Sequence, residues 1–180
     1  MRFWKSLASA LVSGVVLAAC AADDGARLHV RSADIAQNVL TAHLQWQPSD
    51  AVLDALDHGI VLAFVVDVRA YAPRRFGWSS TLAHAQRHVE LRYFPLSRRY
   101  QLRDLDAGET RSFAARALLF AALEDLRLNL PDGWPGEHAA GYALTVDLDP
   151  ERLPGALRLP ALLRTEWHVS SAEYAWPAAG

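Results

Sequence analysis

Apolar and polar residues alternate on both sides of a short break in the segment from residue 88 to residue 105. The apolar positions are Val89, Leu91 and Tyr93 before the break and Tyr100 and Leu102 after it. A period of two is typical of strands with one buried face, and the break contains a proline that fits a turn. The pattern therefore predicts a β-hairpin. Because an isolated hairpin is marginally stable in water, we expect the remaining chain to cover its apolar face.

Further segments show strand patterns. They are Leu28–Ser32, Val39–Trp46, Ile60–Tyr71, Tyr142–Leu148 and one or two short strands between residues 165 and 176. The first half of Ile60–Tyr71 is apolar at successive positions, which indicates an interior strand covered on both faces where it begins. Residues 81–87 are ambiguous and are compatible with a backward extension of the first hairpin strand.

Two segments carry helix signals. The first has Ser49 as a credible N-cap, an apolar stripe, and an end at Gly59. The second has Thr110 or Ser112 as its N-cap and an apolar stripe of period 3.6 over residues 113–126. We expect the second helix to pack across the sheet.

The order of these elements predicts an α+β fold, namely a mainly antiparallel β-sheet or β-sandwich with two helices packed on it. The pattern does not distinguish a sandwich from a single curved sheet. The leucine-rich segment that contains Pro154 and Pro160 is expected to be irregular. Since no repeat or linker interrupts the chain, residues 27–180 are predicted to form a single β-rich domain.

Residues 1–19 have the features of a secretory signal peptide. Arg2 and Lys5 precede 13 uncharged residues, a stretch too short to span a bilayer. The stretch ends in Leu-Ala-Ala-Cys, which resembles the bacterial lipobox, so Cys20 is the predicted lipidation site and residues 20–26 a lipidated tether. Because the following residue, Ala21, is not an aspartate, we expect a periplasmic protein anchored to the outer membrane. The alternative is ordinary cleavage nearby that leaves a stray thiol.

Composition argues against several classes of function. The formal net charge of −2 makes nucleic acid an unexpected partner. Cys20 and Met1 are the only sulfur-containing residues, so no thiol would remain after lipidation for thiolate catalysis or an iron–sulfur cluster. The motifs of phosphate loops, dinucleotide-binding folds, zinc proteases and serine hydrolases are missing. We therefore expect no cofactor, no metal and no enzymatic activity.

Three groups of potential metal ligands have simpler interpretations. His84 and His88 share a face on a helix, but on a strand they lie about 13 Å apart. Residues 104–109 resemble a calcium loop that lacks its third ligand, which favours a solvated turn. Asp147 and Asp149 are read as part of a polar strand edge.

Arginine and tryptophan residues form the candidate contact surface. Its members are Arg74, Arg75, Trp78, Arg92, Arg98, Arg99 and Trp134. A basic face around the hairpin turn would suit an acidic partner protein or the phosphates of lipids. The alternative is that these charges keep edge strands from pairing with other chains. Trp78 and Trp134 lie in loops rich in glycine and proline, where an exposed ring indicates a contact.

Several short motifs together resemble one family. They are Ala55-Leu56-Asp57-His58-Gly59-Ile60, Leu91-Arg92-Tyr93 followed by Pro95-Leu96, the predicted helix over residues 113–126, and Leu148-Asp149 through Leu153-Pro154. In these the chain is similar to the exported bacterial proteins grouped as a domain of unknown function, DUF4390. The resemblance implies an export signal followed by one uncharacterised domain, and it supplies no catalytic residues. It also implies gene neighbours that encode a membrane sensor kinase.

The sequence thus favours a lipid-anchored periplasmic domain that binds an envelope protein or lipid without catalysis. Two alternatives stay open: an envelope hydrolase or carbohydrate-active enzyme, and a periplasmic accessory of a membrane sensor kinase. A pocket that joins a histidine to a carboxylate of perturbed pKa would favour the enzyme. A filled core and a flat face with Trp78 or the arginines would favour binding.

Overall fold

The computed structural model describes residues 27–72, 80–134 and 139–178, and in these residues it has nine strands and three α-helices. The strands are β1 (Arg27–Ala36), β2 (Val39–Gln47), β3 (Leu62–Tyr71), β4 (Thr81–Phe94), β5 (Arg99–Asp104), β6 (Thr110–Phe113), β7 (Asp125–Asn129), β8 (Gly141–Leu148) and β9 (Tyr174–Pro177). The α-helices are α1 (Asp50–Asp57), α2 (Arg116–Glu124) and α3 (Gly155–Leu163). Two single-turn 3₁₀-helices, Pro150–Arg152 and Thr165–Trp167, flank α3.

The strands form two antiparallel sheets that pack face to face, which confirms the predicted α+β class. The smaller sheet has the order β1-β2-β7 and the larger has the order β6-β5-β4-β3-β8-β9. The inner face of β2 carries Leu40, Ala42, Leu44 and Trp46, all of them buried. Trp46 meets Phe64 of β3 edge to face, with 5.4 Å between ring centroids. The core therefore lies between the sheets, and the fold is a sandwich rather than a single curved sheet.

The predicted hairpin is confirmed as β4 and β5. Leu91 pairs with Leu102, and Tyr93 pairs with Tyr100, whose ring centroid lies 4.6 Å away. The ambiguous residues before the hairpin extend β4 back to Thr81. The apolar strand β3 is the interior strand that its sequence predicts, since it pairs with β4 on one side and with β8 on the other.

The first predicted helix, α1, is confirmed, and the hydroxyl of Ser49 makes two hydrogen bonds at its start. This hydroxyl accepts a hydrogen bond from the Val52 N–H at 3.3 Å and donates one to the Glu166 carbonyl at 2.6 Å. Beyond the helix, Gly59 has a φ of +81°, and a Cβ atom there would lie 3.3 Å from the Tyr93 carbonyl oxygen. As a result, α1 is tied to the second 3₁₀-helix at one end and to the end of β4 at the other.

The second predicted helix, α2, is shorter than its apolar stripe, and both predicted N-caps are wrong. Thr110 and Ser112 lie in β6, and α2 starts after Ala115, which offers no capping side chain. Leu126, the last position of the stripe, belongs to β7 instead. The sequences of β6 and β7 are compatible with either structure locally. Strand pairing decides between the two structures: β6 pairs with the preceding strand β5, and β7 pairs with β2, which is distant in the chain.

The leucine-rich segment is helical rather than irregular, which corrects the prediction and brings the helices to three rather than two. Pro154 precedes α3, where a missing N–H group costs little. Pro160 lies inside the helix, yet its carbonyl still accepts a hydrogen bond from the Arg164 N–H at 2.9 Å. In the region from 165 to 176, where one or two strands were predicted, β9 is the strand that forms.

The two ends of the sandwich differ in content. At one end, here named the helical end, β2 leads into α1, β8 leads into α3 and the 3₁₀-helices, and β4 turns into β5. The strand β1 also starts there, because Arg27 pairs with Gln47 just before α1. At the opposite end, here named the loop end, β3 finishes at Tyr71 beside Gly141, where β8 begins.

Leu91→Ala should lower the free energy of unfolding by about 2 to 5 kcal/mol, because it empties a fully buried position between the hairpin and the core. Leu96→Ala is the matched control, since this leucine lies fully exposed in the turn of the same hairpin. It should change the free energy by less than about 0.5 kcal/mol. Urea unfolding measures both values, and equal losses would contradict the hairpin register.

Candidate functional site

A cluster of hydrogen-bonded polar side chains lies on the outer face of the larger sheet. The carboxylate of Asp67 on β3 accepts contacts from His84 Nε2 at 2.6 Å and from Gln86 Nε2 at 3.1 Å, both on β4. Its second oxygen lies 3.0 Å from Arg69 Nε. The register of the sheet produces this cluster, because Asp67 pairs with Gln86 and Arg69 pairs with His84.

The Asp67 carboxylate is held in its ionised form. Burial of this carboxyl raises its pKa, but the hydrogen bonds from His84 and Gln86 and the charges of His84 and Arg69 outweigh that effect. The pKa of Asp67 therefore lies below its ordinary value. The same contact raises the pKa of Arg69. The arrangement orients the His84 ring, whose side chain is about half exposed (48%), so that it can donate to or accept from a ligand.

A groove lies next to this cluster at the loop end, along the edge strand β9. It has a volume of about 470 Å³, and its walls include Tyr71, Tyr142, Glu173, Trp176 and Pro177. Glu173 connects the groove to the polar cluster, because its carboxylate lies 3.5 Å from Arg69 Nη1. The groove thus combines aromatic rings with one carboxylate.

A row of half-buried aromatic side chains runs beside the groove. Trp134 stacks on Tyr142 with 5.9 Å between ring centroids, Tyr142 meets Trp176 at 5.5 Å, and Trp176 meets Tyr174 at 5.8 Å. Tyr142 and Trp176 are cross-strand partners in β8 and β9. Sequence reasoning singled out Trp134 but missed the row, whose signal was the alternation of aromatic residues in β9.

The predicted contact surface is divided between the two ends. Arg92, Arg98 and Arg99 lie around the hairpin turn at the helical end, where Arg92 sits 4.6 Å from the centre of the Phe94 ring. Trp134 lies at the loop end beside Tyr142. The remaining predicted positions, Cys20, Arg74, Arg75 and Trp78, lie outside the described residues.

A pocket of about 230 Å³ beside α3 contains the residue types of a serine hydrolase but not the arrangement. Ser170 Oγ donates its hydrogen bond to Asp147. His168 Nε2 lies 3.3 Å from the Leu162 carbonyl oxygen instead. Within the described residues no histidine therefore contacts Ser170, so the serine–histidine pair that activates the nucleophile of a serine hydrolase is not formed there.

The potential metal ligands are engaged elsewhere. His84 contacts Asp67, while His88 Nδ1 lies 3.4 Å from Asp106 Oδ2, so the two histidines belong to different contacts on β4. Asp104 Oδ1 accepts hydrogen bonds from the backbone N–H groups of Asp106 and Ala107. Across the three described ranges, no three potential ligands stand close enough together to hold a metal ion.

The fold and the site define an α+β protein with two antiparallel sheets, an outer polar cluster and an aromatic groove at one end. The chain belongs to the DUF4390 family, described as a domain of unknown function, whose sequence model matches residues 26–177. Neither the curated proteins nor the solved structures include a significant match. Among the described helices, none has the length and apolar character needed to cross a membrane.

Asp67→Asn should destabilise the protein by about 1 to 3 kcal/mol at pH 5, because it removes the charge that His84, Gln86 and Arg69 surround. A pKa lowered by folding contributes stability above the unfolded value of 3.8 and loses it as the pH falls through the folded value. The difference from the wild type should therefore shrink below about pH 4.

Urea unfolding between pH 5 and the acid limit of the folded state measures this difference. Asp34→Asn, at an exposed position of β1, controls for the loss of a negative charge alone. A difference that stays constant or grows on acidification would show that Asp67 is not stabilised as an anion.

Proposed function

We propose that this protein is an exported, lipid-anchored domain of the bacterial envelope that binds another envelope protein at its loop end. The observation that carries the proposal is the groove of about 470 Å³ along the edge strand β9, whose walls include the aromatic residues Tyr71, Tyr142 and Trp176. Tyrosine and tryptophan are the side chains most enriched at the centres of protein interfaces, where their apolar rings are buried and their polar atoms bonded.

The edge strand gives the groove a second means of recognition. β9 is the last strand of the larger sheet, and among the described strands it pairs with β8 alone, so the backbone groups along its outer side face away from the sheet. An extended segment of a partner can pair with such an edge and place alternate side chains in the groove. The short length of β9, four residues, and Pro177 at its end limit uncontrolled pairing. We infer that the partner contributes an extended segment.

The first twenty residues are the basis for proposing a lipid anchor. The basic start, the apolar stretch and the small residues before Cys20 fit a lipoprotein leader, and lipidation would give a purpose to the one cysteine of the chain. A diacylated cysteine with a short tether holds a domain at the membrane far more firmly than a single acyl chain does.

The second candidate is an envelope hydrolase, which the Asp67–His84 pair favours. A histidine whose ring is oriented by a buried carboxylate is a recurring general base. The candidate predicts bond cleavage in peptidoglycan or its peptides that disappears in His84→Gln. Persistence of the cleavage in that variant would remove the candidate. The binding proposal is preferred because none of the described residues offers a nucleophile in contact with His84.

A photoreactive amino acid at Ala175, an exposed position of β9, should crosslink to one envelope protein in intact cells. The same amino acid at Thr110, an exposed position of β6 at the other edge of the same sheet, is the matched control. Mass spectrometry of the adducts identifies the partner, and a sensor kinase among them would favour the role of a kinase accessory. Equal adducts at both edges, or none at Ala175, would refute binding at the loop end.

Mass spectrometry of protein extracted from membranes should find a mature chain that starts at Cys20 with diacylglycerol on its sulfur. The expectation follows from the lipobox, because the lipoprotein peptidase cleaves only after the thiol is modified. Cys20→Ala is the control: because it lacks the thiol, its chain should carry no diacylglycerol. An unmodified Cys20, or cleavage beyond it, would remove the anchor from the proposal.

A further inference from the structure

Large apolar side chains that solvent reaches are concentrated at the helical end. Of the six such residues in the described part of the chain, four lie there. They are Leu96 in the hairpin turn and Leu159, Leu162 and Leu163 on α3. The three α3 leucines are 58% to 79% exposed, and their spacing places them on one face of the helix. Monomeric proteins rarely leave such a cluster in water without a use for it.

α3 has the properties of a helix that lies on a membrane surface. Its nine residues are far too few to cross a bilayer. Ala161 faces the protein and is buried, while the exposed leucines point away from it. A helix with one face against its own domain and an apolar face outside requires a second apolar environment.

The tether reaches this end of the molecule. Arg27, where β1 begins, lies at the helical end beside Gln47. Six residues separate it from Cys20, so the lipidated cysteine can be no more than about 25 Å away. The loop end lies beyond the full length of β2, whose nine residues span about 30 Å. A lipid on Cys20 therefore brings the helical end, and not the loop end, to the bilayer.

The helical end carries charges of both signs: three arginines follow the exposed leucines in the sequence, and α1 carries the exposed Asp50 and Asp54. Arg98 and Arg99 follow Leu96 in the hairpin turn, and Arg164 follows the last leucine of α3. Guanidinium groups bind lipid phosphates, so an arginine in the hairpin turn is suited to the headgroup layer. Arg99 also donates to the hydroxyl and the carbonyl oxygen of Ser112, at 3.0 and 3.1 Å. Glu166 is the acidic residue next to Arg164, and its carboxylate is already paired with that arginine at 3.4 Å.

We propose that the helical end lies on the lipid bilayer, with the leucines of α3 inserted among the headgroups and the arginines of the hairpin turn against the phosphates. The inference rests on the lipid anchor of the proposed function and adds an orientation to it. The domain then stands upright on the membrane and presents its loop end to the periplasm.

The test measures the depth of single positions in the anchored protein. Full chain produced with its leader is purified from membranes and reconstituted into vesicles of phosphatidylethanolamine and phosphatidylglycerol. Leu162→Cys carries an environment-sensitive dye, and Leu82→Cys, an exposed leucine of β4 at the loop end, carries the same dye as the matched control. Because lipidation consumes the thiol of Cys20, a lipidated chain takes up one dye and a chain with unmodified Cys20 takes up two. Mass spectrometry of the same sample distinguishes the lipidated chain from one that was cleaved beyond Cys20.

The expected result is one dye per chain, a blue-shifted Leu162 dye that nitroxide-labelled lipids quench, and a Leu82 dye that stays in water. Leu159→Gln with Leu163→Gln should reduce the quenching at Leu162, because the helix then loses its apolar neighbours. A chain with one dye and a lipidated N-terminus, but with an unquenched Leu162 dye, overturns the orientation and leaves the anchor standing. Two dyes per chain would show that Cys20 is not lipidated, and this result would contradict both the proposed anchor and the orientation.

Discussion

The fold depends on burying the inner face of β3 against β2. Phe64, Val66 and Val68 on that face are inaccessible to solvent, and Trp46 of β2 packs between Phe64 and Phe120 of α2. Because β3 is paired on both edges, it holds β4 with β5 and β6 on one side and β8 with β9 on the other. Removing this contact would take away the core and the order of the larger sheet together. The polar cluster follows from the same constraint, since alternation along β3 turns Asp67 to the opposite face.

The parts of the fold that could be predicted are those whose signal is local. The hairpin of β4 and β5, the capped helix α1 and the apolar strand β3 each carry a pattern that one structure satisfies. The region of β6, α2 and β7 carries two patterns at once. Its apolar residues fit a helical stripe, but at its two ends polar and apolar residues also alternate, as in a strand. There the strand pairing decides: β6 pairs with β5, the strand just before it in the chain, and β7 pairs with β2, which lies far earlier. The helix α3 could not be predicted from its prolines, because Pro154 lies at the helix start, where proline is tolerated, and the helix continues past Pro160.

The candidate site was harder to predict than the fold. Asp67 and His84 are 17 positions apart, and they meet only because β3 and β4 pair in one particular register. A one-residue shift would turn one of the two side chains to the core. The available signal was Asp67 in the middle of a strand that is apolar apart from this residue and Arg69, because a buried carboxylate requires partners. The aromatic row likewise joins Trp134 to β8 and β9 through contacts between distant parts of the sequence.

The length of the strands separates the two proposed surfaces. β3 has ten residues and therefore spans about 33 Å from the helical end to the loop end. If the helical end lies on the bilayer, the groove beside β9 stands well outside the headgroup layer, where lipid cannot reach it. In the proposed orientation the two surfaces would serve different ligands, lipid at the leucines of α3 and a protein at the groove. The domain would then hold that protein at a fixed height above the membrane, and the rigidity of the sandwich, rather than the chemistry of either surface, would set that height.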